Sequence, residues 1–281
     1  MTDKSKSYGR HNVRPNLRPT PLLKDQNYVS NVWTAKVVTL FPEMFPGTLG
    51  YSVLGRALQN KLWSLETINL RDFGVGKHND VDGTPSGGGP GMVLRADVID
   101  KALTSTTENL NFQEQSWPII NLSPRGRQLS QVACEHLANQ NGIILLCGRF
   151  EGTDERVIDK WNMQEISLGD FILTGGEIAA QALIDSVVRN IPNVLGNELS
   201  ITNESFNDGL LEHPQYTKPS DWDGQKVPKV LLSGDHGEIV RWRNNQALEI
   251  TKKRRPDLLK KFKKKLHDLP ITSLHKQKKV K

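Results

Sequence analysis

The stretch GIILLCG, residues 142–148, is apolar from its second residue to its cysteine. It is too short for a stable helix, and a strand without polar alternation has to be covered on both faces. WPIINLS (117–123) has the same character. Between the two, SQVACEHLANQ (130–140) reads as a helix with Ser130 as its N-cap. Outward from this core, VWTAKVVTL (32–40) predicts a strand that ends in the turn FPEMFPG. YSVLGRALQNKLW (51–63) places Val53, Leu54, Ala57, Leu58 and Leu62 on one helical face. LETINLRDF (65–73) and EISLGDFIL (165–173) read as further strands, RADVIDKAL (95–103) as a helix. GGEIAAQALIDSVVRNI (175–191) is a long amphipathic helix that Pro192 would stop. Strands alternating with helices predict an α/β domain with a mostly parallel sheet.

The 281 residues carry a net charge of +6, unevenly spread. Residues 1–30 hold a net +4 and residues 251–281 a net +11, which leaves the middle at −9. Basic ends of this kind attract polyanions by releasing condensed counterions, or serve as solvated tails that aid solubility. Charge alone does not separate the two. No apolar run is long enough for a membrane span, and the basic N-terminus lacks the apolar core of a secretory signal. Two cysteines make neither a metal-ligand spacing nor a disulfide framework, so a cytoplasmic protein is expected.

Five segments follow. Residues 1–31 read as a disordered basic extension and 32–194 as the α/β domain. Residues 195–209 read as a flexible linker, 210–260 as a small helical domain and 261–281 as a basic tail. The expected strand ends are followed by three glycine-bearing segments: LSPRGRQ (122–128), CGRFEGTDERV (147–157) and SLGDFILTGGE (167–177). In open α/β sheets ligands bind beyond the carboxyl ends of the strands, so these segments predict a pocket for a nucleoside-like ligand. TPSGGGPGM (84–92) has no Gly-Lys-Ser/Thr after it and is not a phosphate loop; alone it reads as a turn. The histidines fall in no HExxH or Cys/His pattern, so no metal site built by the protein is expected. Candidate charged groups near the rim and linker are Glu151, Asp154, Asp170, Glu177, Arg189, Glu204 and Asp208.

LFPEMF (40–45), SGGGPGM (86–92), LSPRGR (122–127), CGRFEGTDERV, SLGDFILTGGE, LIDSVVR (183–189) and LLSGDHGEIVRWR (231–243) share a family pattern. In order and spacing they resemble the bacterial tRNA (guanine-N1)-methyltransferase family, TrmD, over residues 32 to about 260. The resemblance implies a SPOUT-class fold: a parallel sheet tied in a trefoil knot and flanked by helices, followed by a small helical C-terminal domain. It implies S-adenosylmethionine as methyl donor, tRNA as substrate, and an antiparallel homodimer with composite active sites. The donor pocket carried over is Leu122, Ser123, Pro124, Gly148, Phe150, Leu168, Gly169, Asp170, Phe171, Ile172 and Leu173, with Gly175 and Gly176. Glu151, Asp82 and the glycine loop through Gly91 should flank the target guanine, which turns the loop into a close-fitting wall of the pocket. Arg241, Arg243 and the KKRR run at 252–255 should meet tRNA phosphates.

Guanine N1 carries a proton, so methylation needs a base at N1 and a donor or cation at O6. The resemblance assigns O6 to Arg189 and the base to a linker aspartate. Here ITNESF (201–206) offers Glu204 at that place, one methylene longer, with Asp208 as fallback. Magnesium is expected only as an added ion. Two rival readings are a SPOUT enzyme for ribose 2′-hydroxyls, which would not require the linker carboxylate, and a non-catalytic RNA-binding protein, suggested by the change to Glu204.

Overall fold

This computed structural model describes residues 32–108, 110, 117–196, 204–206 and 209–267. The expected N-terminal extension, Asp208 and most of the linker lie outside the described residues.

Strand β1 (Trp33–Thr39) leads through helix α1 (Ser52–Gln59) to β2 (Trp63–Asn69). A two-stranded ribbon of β3 (Asp82–Gly83) and β4 (Val93–Leu94) carries the glycine loop at its tip, and α2 (Ala96–Thr107) follows. Then come β5 (Ile119–Gln128), α3 (Gln131–Ala138), β6 (Gly142–Cys147), α4 (Glu155–Lys160), β7 (Gln164–Ser167) and α5 (Gly176–Val188). A small ribbon, β8 (Asp221–Trp222) with β9 (Gln225–Lys226), precedes α6 (His236–Arg254) and α7 (Pro256–His267).

The main sheet has the order β2-β1-β6-β5-β7, and every pairing in it is parallel. The apolar run at 142–148 sits at its centre, and each residue of β6 is buried. Side chains alternate as a pleat requires. Ile143 and Leu145 join the core beneath α1, α3 and α5, whereas Ile144 and Leu146 join the core beneath α2 and α4. Each fully buried aliphatic side chain contributes about 1.5–3 kcal/mol. Ser130 caps α3 as expected, accepting a hydrogen bond from Ala133 N at 3.3 Å.

Several expectations are corrected. LSPRGRQ is not a loop beyond its strand but the second half of β5. Leu122 and Arg127 both pair with Ile166, so residues 123–126 bulge out of the register. Strand β7 starts one residue earlier, at Gln164, and keeps only Glu165–Ser167 of the expected EISLGDFIL strand; Leu168–Leu173 leaves the sheet as a loop. LETINLRDF ends as a strand at Asn69, where the Asn side chain accepts from Arg71 N and starts a 3-10 turn. The CGRFEGTDERV segment contains α4, capped by Asp154. Helix α5 ends at Val188 rather than at Pro192, with Arg189 as its C-cap. Helix α7 runs across residue 260, where the basic tail was expected to begin.

Truncating the central strand tests the two-sided core. Leu145→Ala should lower unfolding stability in urea by about 2–5 kcal/mol; a loss below roughly 0.5 kcal/mol, the range of exposed positions, would contradict it.

Candidate active site

At the carboxyl end of the sheet, the β5 bulge, the loop after β6 and the loop after β7 enclose a cleft of about 390 Å³. Its walls include Leu122, Ser123, Pro124, Gly148, Phe150, Leu168, Phe171, Ile172, Leu173, Gly175 and Gly176. Of the expected donor-pocket residues, Gly169 and Asp170 alone do not line it. Glu151 does. Closeness of backbone to backbone sets this geometry: Gly176 N donates to Gly148 O at 2.9 Å, and a Cβ on Gly176 would stand 2.7 Å from Cys147 Cα. Only glycine fits there.

Phe150 adopts a left-handed backbone, φ +59°, and holds its ring half exposed at the cleft mouth. Strain of this kind is retained where a side chain must be aimed. Phe171 and Ile172 are also exposed, the latter at 79%. Phe150, Phe171 and Ile172 thus give the cleft an exposed apolar rim.

The glycine ribbon docks on the same loop. Glu151 N donates to Met92 O and Leu94 N to Gly152 O, both at 2.9 Å. At Gly91 (φ +85°) a Cβ would stand 2.4 Å from Glu151 Cγ, so this glycine does wall Glu151. Gly87, Gly88 and Gly89 face open space and form no close wall in the single chain. Asp82 lies at the base of the ribbon and outside the cleft lining.

Two of the candidate carboxylates have structural partners. Asp154 caps α4, accepting from Arg156 N at 3.0 Å. Glu177 is buried, accepts from Thr39 Oγ1 at 2.8 Å, and its Oε2 lies 2.8 Å from Arg149 Nη2 without an aligned hydrogen bond. Arg149 also donates to Thr174 O at 3.2 Å and lies 4.4 Å over the Phe41 ring. It thereby clamps the loop after β6 to the turn entering α5 and to the LFPEMF turn. Its Nε is buried without an acceptor. Sequence reasoning did not single out Arg149, although its place inside CGRFEG was the available signal.

Arg189 and Glu204 form a bidentate pair, Nη1 to Oε2 and Nη2 to Oε1, each at 2.6 Å. The Arg189 hydrogen bonds hold the Glu204 carboxyl below its ordinary value of 4.5, with burial opposing and the guanidinium charge assisting. Neither residue lines the cleft. Helix α5 starts at the cleft with Gly176 and has 13 residues, so Arg189 at its far cap stands about 20 Å away at 1.5 Å per residue. Arg241 and Arg243 lie on α6, both exposed, with Arg241 paired to Glu238. Among the described residues no group of three or more His, Cys, Asp or Glu is placed to hold a metal ion, and no helix is long and apolar enough to cross a membrane.

With this geometry in place, the tRNA (Guanine-1)-methyltransferase TrmD family matches residues 33–261. The chain belongs to that family. It is 55% identical to the tRNA (guanine-N(1)-)-methyltransferase of Ruegeria pomeroyi over 86% of this chain and 96% of that protein. The protein of the same name from Ruegeria sp. (strain TM1040) is 56% identical over 84% and 96%. That of Rhizobium johnstonii is 50% identical over 81% and 91%. The family match begins after the basic N-terminal segment and includes the cleft, α5, Glu204 and most of α6–α7. S-adenosylmethionine is the methyl donor that the family implies, and a cleft of this volume, walled by both apolar and polar residues, suits an adenosine-sized ligand.

Removing Arg189 should release the Glu204 carboxyl. In Arg189→Ala, a carbon-13 titration should move its midpoint up toward 4.5. Because the folded value is depressed in the parent, the stability that this pairing contributes is present above about 4.5 and lost as pH falls through the folded midpoint. An unmoved midpoint would mean that the pair does not persist in solution.

Proposed function

We propose that this protein transfers a methyl group from S-adenosylmethionine to N1 of the guanosine immediately 3′ of the anticodon in tRNA. The observation that carries this reading is the convergence of residues 122–124, 148–153, 168 and 171–176 on one cleft, in a chain that matches the family along 33–261. The rival ribose-directed and non-catalytic readings gain no support from relatives at 50–56% identity that are named for guanine-N1 methylation.

S-adenosylmethionine supplies the methyl as a sulfonium group already activated for transfer. The chain's own task is to strip N1 of its proton and to meet the charge that builds on O6. Glu204 accepts the proton and Arg189 donates to O6, while Glu151, held by the glycine ribbon, stands beside the base. Guanine presents N1–H and O6 side by side, a donor next to an acceptor. It can therefore replace each partner of the Arg189–Glu204 pair in one step: O6 takes the guanidinium and N1–H faces the carboxylate.

Reacting atoms must come within about 3–3.5 Å, and the span of α5 is several times that. Arg189 and Glu204 therefore serve a cleft other than that of their own chain. A homodimer with antiparallel subunits satisfies this constraint, and its interface would cover the exposed Phe171, Ile172 and Ile178. The trefoil knot is proposed on the family match, which spans the whole sheet. Residues 32–194 are proposed as the knotted domain and 195–209 as a flexible linker. The helical region from 210 onward is proposed to bind tRNA through Arg241, Arg243 and the basic run after them. Magnesium is proposed as an added ion without a protein cage, and the cytoplasm, where tRNA is modified, as the compartment.

Glu204→Gln should lower kcat by about 10²–10⁴; turnover at the parent rate would overturn the assignment of the base. Glu151→Ala and Arg189→Ala, each inactive alone, should regain activity when co-folded as mixed dimers, because one cleft then receives an intact set. Silence of the mixture beside active parent dimers would remove the composite site. Mapping the methylated nucleotide in a tRNA reaction checks the target itself.

A further inference from the structure

A second cleft, of about 300 Å³, lies between residues 213–220 and the faces of α6 and the turn before it. Three rings meet in it. Trp242 lies edge-on to His213 at 6.3 Å and 60°, and to Tyr216 at 6.1 Å and 61°. The rings fix one another at an angle without stacking, and Tyr216 remains 48% exposed. Lys218 and Arg243, both exposed, stand at the rim, and no carboxylate is among the described residues that line the cleft.

We propose that this cleft holds one unpaired nucleotide of the tRNA substrate, its base stacked on the aromatic cluster and its phosphate beside Lys218 and Arg243. The inference rests on the methyl-transfer reading only for the identity of the RNA. The chemistry of the cleft points to a nucleotide on its own terms. Aromatic side chains stack any base, cations meet the phosphate, and single-stranded RNA is read by this combination. A basic protein segment, such as the chain's own residues 1–30 with net charge +4, would meet like charge at the rim. Such a subsite would grip the RNA from outside the methylation cleft and help offset the cost of unstacking the target guanosine.

Two readouts on the full chain test it: anisotropy of labelled tRNA at several salt concentrations, and binding of anticodon stem-loops that lack one base at a time. Tyr216→Ala should weaken tRNA binding roughly five- to hundredfold. The salt slope and the affinity for S-adenosylmethionine should hold, whereas Arg243→Ala should reduce that slope by about one. Tyr216→Phe should restore parental binding, because the stacking face is kept. Loss of one particular base should weaken the parent but not Tyr216→Ala. Parental affinity in a folded Tyr216→Ala protein, as expected if the cleft takes a protein segment, would overturn the proposal. So would failure of Tyr216→Phe to restore binding, or the absence of any position whose loss is masked by Tyr216→Ala. A parent that binds tRNA without methylating it would refute the methyl-transfer reading and leave this subsite standing.

Discussion

The central strands β1 and β6 have no face that tolerates water, and most of the molecule's arrangement answers to that requirement. Helices have to cover both sides, with α1, α3 and α5 on one and α2 and α4 on the other. Parallel strands joined through such helices bring their carboxyl ends to a single edge. The three glycine-bearing segments meet there because each includes or follows the carboxyl end of a strand, whereas the connections from helix back to strand lie at the opposite end of the sheet. Their mutual approach is close enough that Gly176 touches the backbone of the loop after β6.

Electrostatics then divide the charged groups by burial. Glu177, beneath the cleft, is enclosed with Arg149, whose contacts bind three separate loops into one wall. Removing one partner of a buried pair strands the other charge, which makes Arg149–Glu177 a structural clamp and unsuited to proton transfer. Arg189 and Glu204 are partly exposed and hold each other in a bidentate pair. The length of α5 separates these two pairs, one at each end of a single helix. A rigid spacer of that length is the physical reason why two chains, rather than one, are proposed to complete a catalytic centre.

The C-terminal region works on a different principle. Its helix α6 is mostly exposed, with Thr251 its one buried residue, and Thr251 accepts a hydrogen bond from Leu211 N at 2.8 Å. With little apolar core to build, its surface is free to carry exposed arginines and open aromatic rings.

Much of the architecture was legible in the apolar runs at 117–123 and 142–148 and the amphipathic segments beside them, because burial on both faces leaves a pattern that needs no partner to be recognised. Nearly all of the residues expected at the donor pocket line one cleft, and their blocks and glycines were visible in the sequence. The ends of β5, β7 and α5 were not, since pairing and capping depend on which neighbour arrives: residues 123–126 look like a loop by composition yet continue a strand. The clamp by Arg149 was hidden too, as were the openness of Gly87–Gly89 and the Arg189–Glu204 pair. Periodicity and composition act along the chain and are set by the sequence itself. Contacts between residues far apart in sequence are settled only when the chain folds and the sheet brings its edges together.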